Sequence, residues 1–293
     1  MKAWVFPGQG SQYSGMGKEL YESSALAKEL FTKANQTLGF DIQQIMFEGS
    51  DEDLRRTTVT QPAVFIHSVV AAVVNGLMEQ AGVTAGHSLG EFSALVFAGV
   101  LDFESGLTLV ARRAEAMQKA CDAQESTMAA IIGLEDNKVE AICAAVESEI
   151  VVPANYNTVG QLVISGSIPG IAKAITLAQE EGARRAIKLS VNGAFHSPLM
   201  EPARLDLAEA IEKAPFQRAR IPVYQNVTGL PHQEPSEIKE NLLKQLTAPV
   251  RWTQTMQTMI ANGVEEFTEV GPGKVLQGMV KKIDRKFPTS SIS

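Results

Sequence analysis

Val83-Thr84-Ala85-Gly86-His87-Ser88-Leu89-Gly90-Glu91 is the stretch whose reading decides the fold. Val83-Thr84-Ala85 reads as a short strand, and a helix pattern runs from Glu91 to Val100. Between them Gly86-His87-Ser88-Leu89-Gly90 fits G-x-S-x-G, a sharp strand-to-helix turn. The backbone folds tightly in such a turn, so the serine needs small neighbours. The turn lifts the hydroxyl off the sheet, and the helix N-terminus behind it offers free N–H groups to a developing oxyanion. The Leu89 N–H is the natural first donor. The pattern alone is common, and an ordinary tight turn with a capping serine satisfies it too.

Outward from this turn, helical patterns alternate with short apolar runs, which points to an α/β architecture. Lys2–Phe6 reads as a strand ending at Pro7-Gly8, and Glu19–Leu38 as one helix. Thr60-Gln61-Pro62 opens an apolar helix over 63–78, with Pro62 near its first turn, where a missing N–H costs little. Glu265–Val270 reads as a strand, turned by Gly271-Pro272-Gly273 into a helix. Between these segments lie strands at Thr127–Ile132, Ile150–Pro153 and Leu162–Ser165. Val139, Ile142, Cys143 and Val146 form one helical face, and Ile171, Ala174, Ile175 and Ala178 another. Ile187, Leu189 and Val191 alternate with Lys188 and Ser190 as a half-buried strand does. The order β-α-β-β-α-β is the ferredoxin-like arrangement. The expected fold is therefore a large α/β-hydrolase-like domain with a parallel sheet, from residues 1–123 and 193–293, carrying an inserted ferredoxin-like subdomain at 124–192.

Composition narrows the function. The 293 residues carry 26 Lys+Arg against 33 Asp+Glu, a net charge of −7, which disfavours a non-specific nucleic-acid binder. Two cysteines, Cys121 and Cys143, make no disulfide scaffold, and no C-x-x-C or Cys/His ligand spacing exists. A reducing compartment, buried thiols and no structural zinc are the expectation. The N-terminus reaches Pro7 too soon for the apolar core of a signal peptide. The most apolar run, Ala63–Val74, is shorter than the ~18 residues of a membrane span. A cytoplasmic protein with no membrane or nucleic-acid partner follows as an expectation.

A nucleophilic serine needs a base. Of the four histidines, His67 falls in the apolar helix and reads as a hydrogen-bonded core residue. His87 adjoins Ser88 and should point away from it, and His232 reads as solvated. His196 follows the return from the small subdomain, where a side chain can face a cleft; the residues alone leave its role open. Asp102 and Asp122 are triad acids by chain order only. Near 104–121, Leu107, Val110, Ala114, Met117 and Cys121 form an apolar stripe. Arg112 points opposite it, whereas Arg113 lies about 80° from its centre and can reach inward. An Arg–Glu pair with Glu115 or Glu104 is the structural alternative.

Phe6-Pro7-Gly8-Gln9-Gly10-Ser11-Gln12, Thr60-Gln61-Pro62-Ala63, Gly86–Glu91, Gly193-Ala194-Phe195-His196-Ser197 and Val270-Gly271-Pro272-Gly273-Lys274 occur in this order. Together they resemble the malonyl-CoA:acyl carrier protein transacylases and the related acyltransferase domains of polyketide synthases, from residue 3 to about 285. The connection Glu79–Ala85 is a few residues shorter than that family's. The resemblance implies a Ser88–His196 dyad and an oxyanion hole from the N–H groups of Gln9 and Leu89. It implies that the backbone carbonyl of Gln245 orients the histidine in place of a carboxylate, although the residues alone suggest a surface helix end there. It assigns Arg113 to the malonyl carboxylate, which a guanidinium grips with two parallel hydrogen bonds. It puts Phe195, Asn157 and Gln61 near the acyl pocket, where a core aromatic and turn or cap residues are the plainer readings.

The implied activity is ping-pong transfer of malonyl from malonyl-CoA to holo-acyl carrier protein through a malonyl-serine ester, supplying extender units for fatty-acid synthesis. An editing thioester hydrolase and a trans-acting polyketide malonyltransferase are the alternatives. No cofactor is bound in this reading, since the 4'-phosphopantetheine belongs to the partner. A free-standing monomer is expected. Its acidic carrier protein needs a basic patch, either Arg184, Arg185 and Lys188 or Lys281, Lys282, Arg285 and Lys286. A histidine base with an ordinary pKa would make acylation fall as the pH drops through roughly 6 to 7.

Overall fold

Ala3, Trp4, Val5 and Phe6 are consecutive and all buried, which a strand allows only when both faces of its sheet are covered. The computed structural model, which describes residues 1–293, has ten strands. They are β1 (Lys2–Phe6), β2 (Val83–Gly86), β3 (Ser126–Ile132), β4 (Val151–Thr158), β5 (Gln161–Ser167), β6 (Arg185–Lys188), β7 (Val223–Tyr224), β8 (Pro231–His232), β9 (Glu266–Val270) and β10 (Thr289–Ile292). The larger sheet has the order β10-β9-β1-β2-β7-β8. Its neighbours are parallel except β7 and β8, which pair antiparallel. The sheet is therefore mixed rather than wholly parallel, because β8 returns from β7 through a short turn. Parallel strands bring their C-terminal ends to one edge, where ligands of open α/β sheets bind. The segments after β1, β2, β7 and β9 meet there.

The second sheet is antiparallel, in the order β4-β5-β3-β6. Its strands alternate with the helices Asp136–Ala144 and Ile168–Glu180, giving the βαββαβ order read from the sequence. Ala129, Ile131, Leu162 and Ile164 pack against those helices. Met128, Ala130 and Val163 form the opposite face, against Leu189, Val191 and Phe195. Ile187 shares that second face but is 46% exposed, and β6 ends at Lys188, so Leu189 and Val191 follow the strand rather than belong to it and border the cleft as well as this small core. Backbone bonds tie the second sheet to the segment that leads into the helix Trp252–Ala261: Tyr156 N donates to Val250 O at 2.9 Å, and Val250 N to Ala154 O at 2.8 Å.

Two helices differ from their sequence reading. Glu19–Leu38 is broken at Ser24, whose hydroxyl accepts from Ala27 N and caps a new helix, Ala25–Leu38. The apolar helix begins at Thr57 and ends at Val74, which puts Pro62 inside it. The ring forfeits one backbone bond there. This helix is long and apolar enough to cross a membrane, but 78% of it is buried within the fold.

His67, on this helix, is buried with Nδ1 unpartnered, so the expected core hydrogen bond is not made at that nitrogen. Burial pushes its pKa from 6.5 down to about 4. The unfolded chain therefore takes up a proton below 6.5 that the native imidazole refuses until about 4, and stability falls as the pH drops across that window. Urea unfolding of His67→Leu at pH 7 and 4.5 should show a stability difference smaller than the wild type's by about 2 kcal/mol. An unchanged difference would place the acid sensitivity elsewhere.

Candidate active site

β2 ends at Gly86, and the helix Gly90–Phe97 starts four residues later, so the chain reverses within Gly86–Gly90. A Cβ on Gly86 would overlap the Gly90 backbone, and one on Gly90 the Phe6 carbonyl. Ser88 at their centre has φ 51°, a left-handed conformation that strains a non-glycine residue. The turn is held from both sides. Ser88 N donates to Asn226 Oδ1 at 2.7 Å, and Gln245 Nε2 donates to Ser88 O at 3.0 Å.

Ser88 Oγ lies 2.8 Å from His196 Nε2, and His196 Nδ1 lies 2.9 Å from the Gln245 carbonyl. A carbonyl only accepts, so Nδ1 carries the proton and Nε2 is free to accept from Ser88. Gln245 is 1% exposed, a buried residue whose carbonyl accepts from His196 Nδ1 rather than the surface helix end that its local sequence suggests. No carboxylate takes this place: Asp102 caps the helix Phe103–Ala123 through Ser105 N, and Asp122 accepts from Gln118. Burial, and then the positive charge of Arg113, push the His196 pKa down to about 3. The ordinary value of 6 to 7 expected from the sequence is thus corrected.

Arg113 is 1% exposed. Its Nη2 donates to Ser88 Oγ at 3.0 Å and to Gln245 Oε1 at 3.3 Å, while Nη1 donates to Gln61 Oε1 at 2.7 Å. Its Nε has no partner. Burial lowers its pKa to about 10, which leaves the guanidinium charged at neutral pH. The alternative Arg–Glu pair belongs to its neighbour, since Arg112 meets Glu115 at 3.4 Å on the surface. Ser88 Oγ therefore sits between a proton acceptor and a fixed cation, in a cleft of about 800 Å³ between the two sheets.

Gln9, Leu89, Phe195 and Asn157 line this cleft. Asn157 Oδ1 is 2.8 Å from His87 Nε2, and His87 turns away from Ser88 onto the Trp252 ring. Gln61 is fully buried behind Arg113 and is not on the cleft wall. Arg184, Arg185 and Lys188 are exposed at the edge strand β6, whose continuation, Leu189–Val191, lines the cleft. Lys281, Lys282, Arg285 and Lys286 are exposed at the far end of the chain. His232 is only partly exposed, between Thr228 and Glu237. Cys143 is buried as expected, whereas Cys121 is half-buried. Burial pushes their thiols up to about 12 and about 11, so neither is a thiolate nucleophile at neutral pH.

Residues 3–290 match the family model described as acyl transferase domain. The chain belongs to that family. Among curated acyl transferase relatives, the malonyl CoA-acyl carrier protein transacylase of Bacillus subtilis strain 168 is 45% identical, over 99% of this chain and 93% of its own. That of Staphylococcus aureus strain MRSA252 is 40% identical, over 99% and 94%. Among solved structures, an acyl carrier protein S-malonyltransferase from Vibrio cholerae superposes with a TM-score of 0.95 at 43% identity, covering 100% of this chain and 96% of its own. A type II polyketide-synthase acyl-carrier protein in complex with its malonyl-transacylase gives 0.93 at 38% identity, covering 99% and 93%. The resemblance read from the five motifs is borne out.

Sequence reasoning missed part of this cluster around Ser88. Asn226, Gln225 and the buried Glu91 received no role. Glu91 follows the Gly86–Gly90 turn and reads as an ordinary first-turn acid of a helix. Asn226 lies in a loop whose closeness to Ser88 depends on β7 pairing with β2.

Proposed function

We propose that this protein moves a malonyl group from malonyl-CoA to the phosphopantetheine thiol of holo-acyl carrier protein, for fatty-acid synthesis in the cytoplasm. His196 takes the Ser88 proton, the Oγ–C bond forms, and the tetrahedral oxyanion is held by the N–H groups of Leu89 and Gln9. The C–S bond then breaks, and the imidazolium returns its proton to the CoA sulfur. The malonyl carboxylate, three bonds beyond the new ester oxygen, pairs with Arg113. The carrier thiol repeats the steps in reverse, giving its proton to His196. CoA and phosphopantetheine are carried by the substrates, so the chain needs no resident cofactor.

The single observation behind this reading is that one hydroxyl meets both a neutral imidazole at 2.8 Å and a buried guanidinium at 3.0 Å. A hydrolase of apolar acyl groups has no use for that cation. The division into a large α/β-hydrolase-like domain of residues 1–123 and 193–293 and a ferredoxin-like subdomain of 124–192 is part of the proposal, supported by the two sheets and the connectivity between them. So is activity as a monomer.

Intact-mass measurement after mixing with malonyl-CoA tests the reaction. One malonyl group should appear on the wild type and none on Ser88→Ala, and the adduct should pass to holo-carrier protein. Free malonate without transfer would make the protein a hydrolase. Carrier docking is tested separately. Reversing Arg184 and Arg185 to Glu should raise the carrier-protein KM about tenfold at low salt and leave the malonyl-CoA KM unchanged. An unchanged carrier KM would remove that patch.

A further inference from the structure

Ser88 occupies a backbone conformation that a serine does not adopt cheaply, so something must hold the turn in place. The hydrogen bonds identify what holds it. Asn226 spans the turn with one side chain: its Oδ1 accepts from Ser88 N at 2.7 Å, and its Nδ2 donates to Gly86 O at 2.7 Å. Asn226 is itself fixed, because its backbone N donates to Glu91 Oε2 at 2.8 Å. The other oxygen, Glu91 Oε1, accepts from Gln225 Nε2 at 3.0 Å. Gln225 is pinned in turn by Ile238 O at 3.1 Å and by Asn241 Nδ2 at 2.9 Å. Glu91, Gln225 and Asn226 are buried, so these bonds are shielded from water.

Glu91 lies three residues after Ser88, on the helix that the turn launches. The network is therefore a closed loop. It runs from the turn to Asn226, from there to Glu91, and back through the helix start to the turn. A carboxylate is the one side chain here that can accept from a backbone N–H and a neighbouring amide at once while donating nothing. Burial pushes the Glu91 pKa up, and those donors together with the nearby Arg113 charge oppose that shift.

We infer that Asn226, anchored by Glu91, is a positioning residue that holds Ser88 Oγ in line with His196 and keeps the Leu89 N–H aimed at the oxyanion. This rests on the reading of Ser88 as nucleophile, and neither Asn226 nor Glu91 touches the acyl group. Losing the brace lets the turn relax. A displacement of about 1 Å at a reacting atom costs about 100-fold in rate.

The experiment measures the rate at which a fluorophosphonate probe labels Ser88, per folded protein, alongside thermal unfolding and the malonyl-CoA KM. The probe carries no carboxylate, so it reports on the nucleophile independently of malonyl selectivity. For Asn226→Ala, labelling should fall about 100-fold while the malonyl-CoA KM stays within about threefold, because binding through Arg113 is intact. Glu91→Gln keeps the shape but sets an amide N–H against one of two donors, and should fall about tenfold. If Asn226→Ala does not fold, Asn226→Asp carries the test, since it keeps the acceptor for Ser88 N and loses the donor to Gly86. Wild-type labelling rates in the folded variants would overturn the inference. A wild type that takes no label at Ser88 would instead remove the nucleophile assignment, and the inference with it.

Discussion

Replacing His196 with alanine is expected to slow malonylation of Ser88 by about 10⁴-fold, read as adduct formation by rapid quench and intact mass. Ser88 Oγ has one neighbour able to accept its proton, His196 Nε2 at 2.8 Å; its other close partner, Arg113, only donates. The Gln245 carbonyl fixes the ring and its tautomer without adding a second titrating group. The pH dependence follows from the same surroundings. The imidazole is pushed down to about 3, so it is already neutral throughout the range from pH 5 to 8. The acylation rate should stay level across that range rather than fall through 6.5. Lowering the pH removes the base only near the depressed value. Arg113 is one of the two main causes of the depression, so Arg113→Met should move the acid limb upward, toward the ordinary histidine value. A wild-type limb centred at 6.5 would mean that His196 is not held dry beside a cation.

Much of the site's local geometry was legible because it depends on residue type at short spacing. Gly86 and Gly90 can be read as necessities of a tight turn, and the structure shows the backbone that leaves them no Cβ. The angle of Arg113 on its helix separated it from Arg112, and the two indeed divide into a buried and an exposed cation. The βαββαβ order was legible because each strand and helix carries its own period. What was not legible depends on tertiary contact. The His196 carbonyl partner could be any residue type, so Gln245 carried no local signal. The depressed pKa of His196 is a property of burial, which one sequence does not display. Asn226 becomes part of the site only because β7 lies beside β2, a pairing of two residues from each strand. Ile187, Leu189 and Val191 were placed on one face, but Ile187 is exposed and Leu189 and Val191 border a cleft, and periodicity cannot tell an open edge or a cleft from a core.

The second large effect is in selectivity. Arg113→Met is expected to cut kcat/KM for malonyl-CoA by about 10³-fold and to raise the acetyl-to-malonyl preference by more than that. The wild-type guanidinium is buried, charged, and already bonded to Gln61 and Gln245, so it is preorganised where the proposed reaction puts the diacid's far end. A carboxylate there forms charge-assisted bonds in a partly dry site, and removing the cation strands it, which costs about 4 kcal/mol. An acetyl group has the opposite problem. It leaves the cation without its anion, with Nε already unpartnered, so the wild type should discriminate against it and the methionine variant should not. Phe92 packs near the guanidinium, 5.7 Å from its Cζ to the ring centre, and the thioether fits the same apolar wall. The measurement is a competition between malonyl-CoA and acetyl-CoA for Ser88, scored by adduct mass in both proteins. The fluorophosphonate rate serves as a check that the nucleophile remains intact. Equal preference before and after the substitution would separate Arg113 from substrate choice and leave it as a structural support for Ser88.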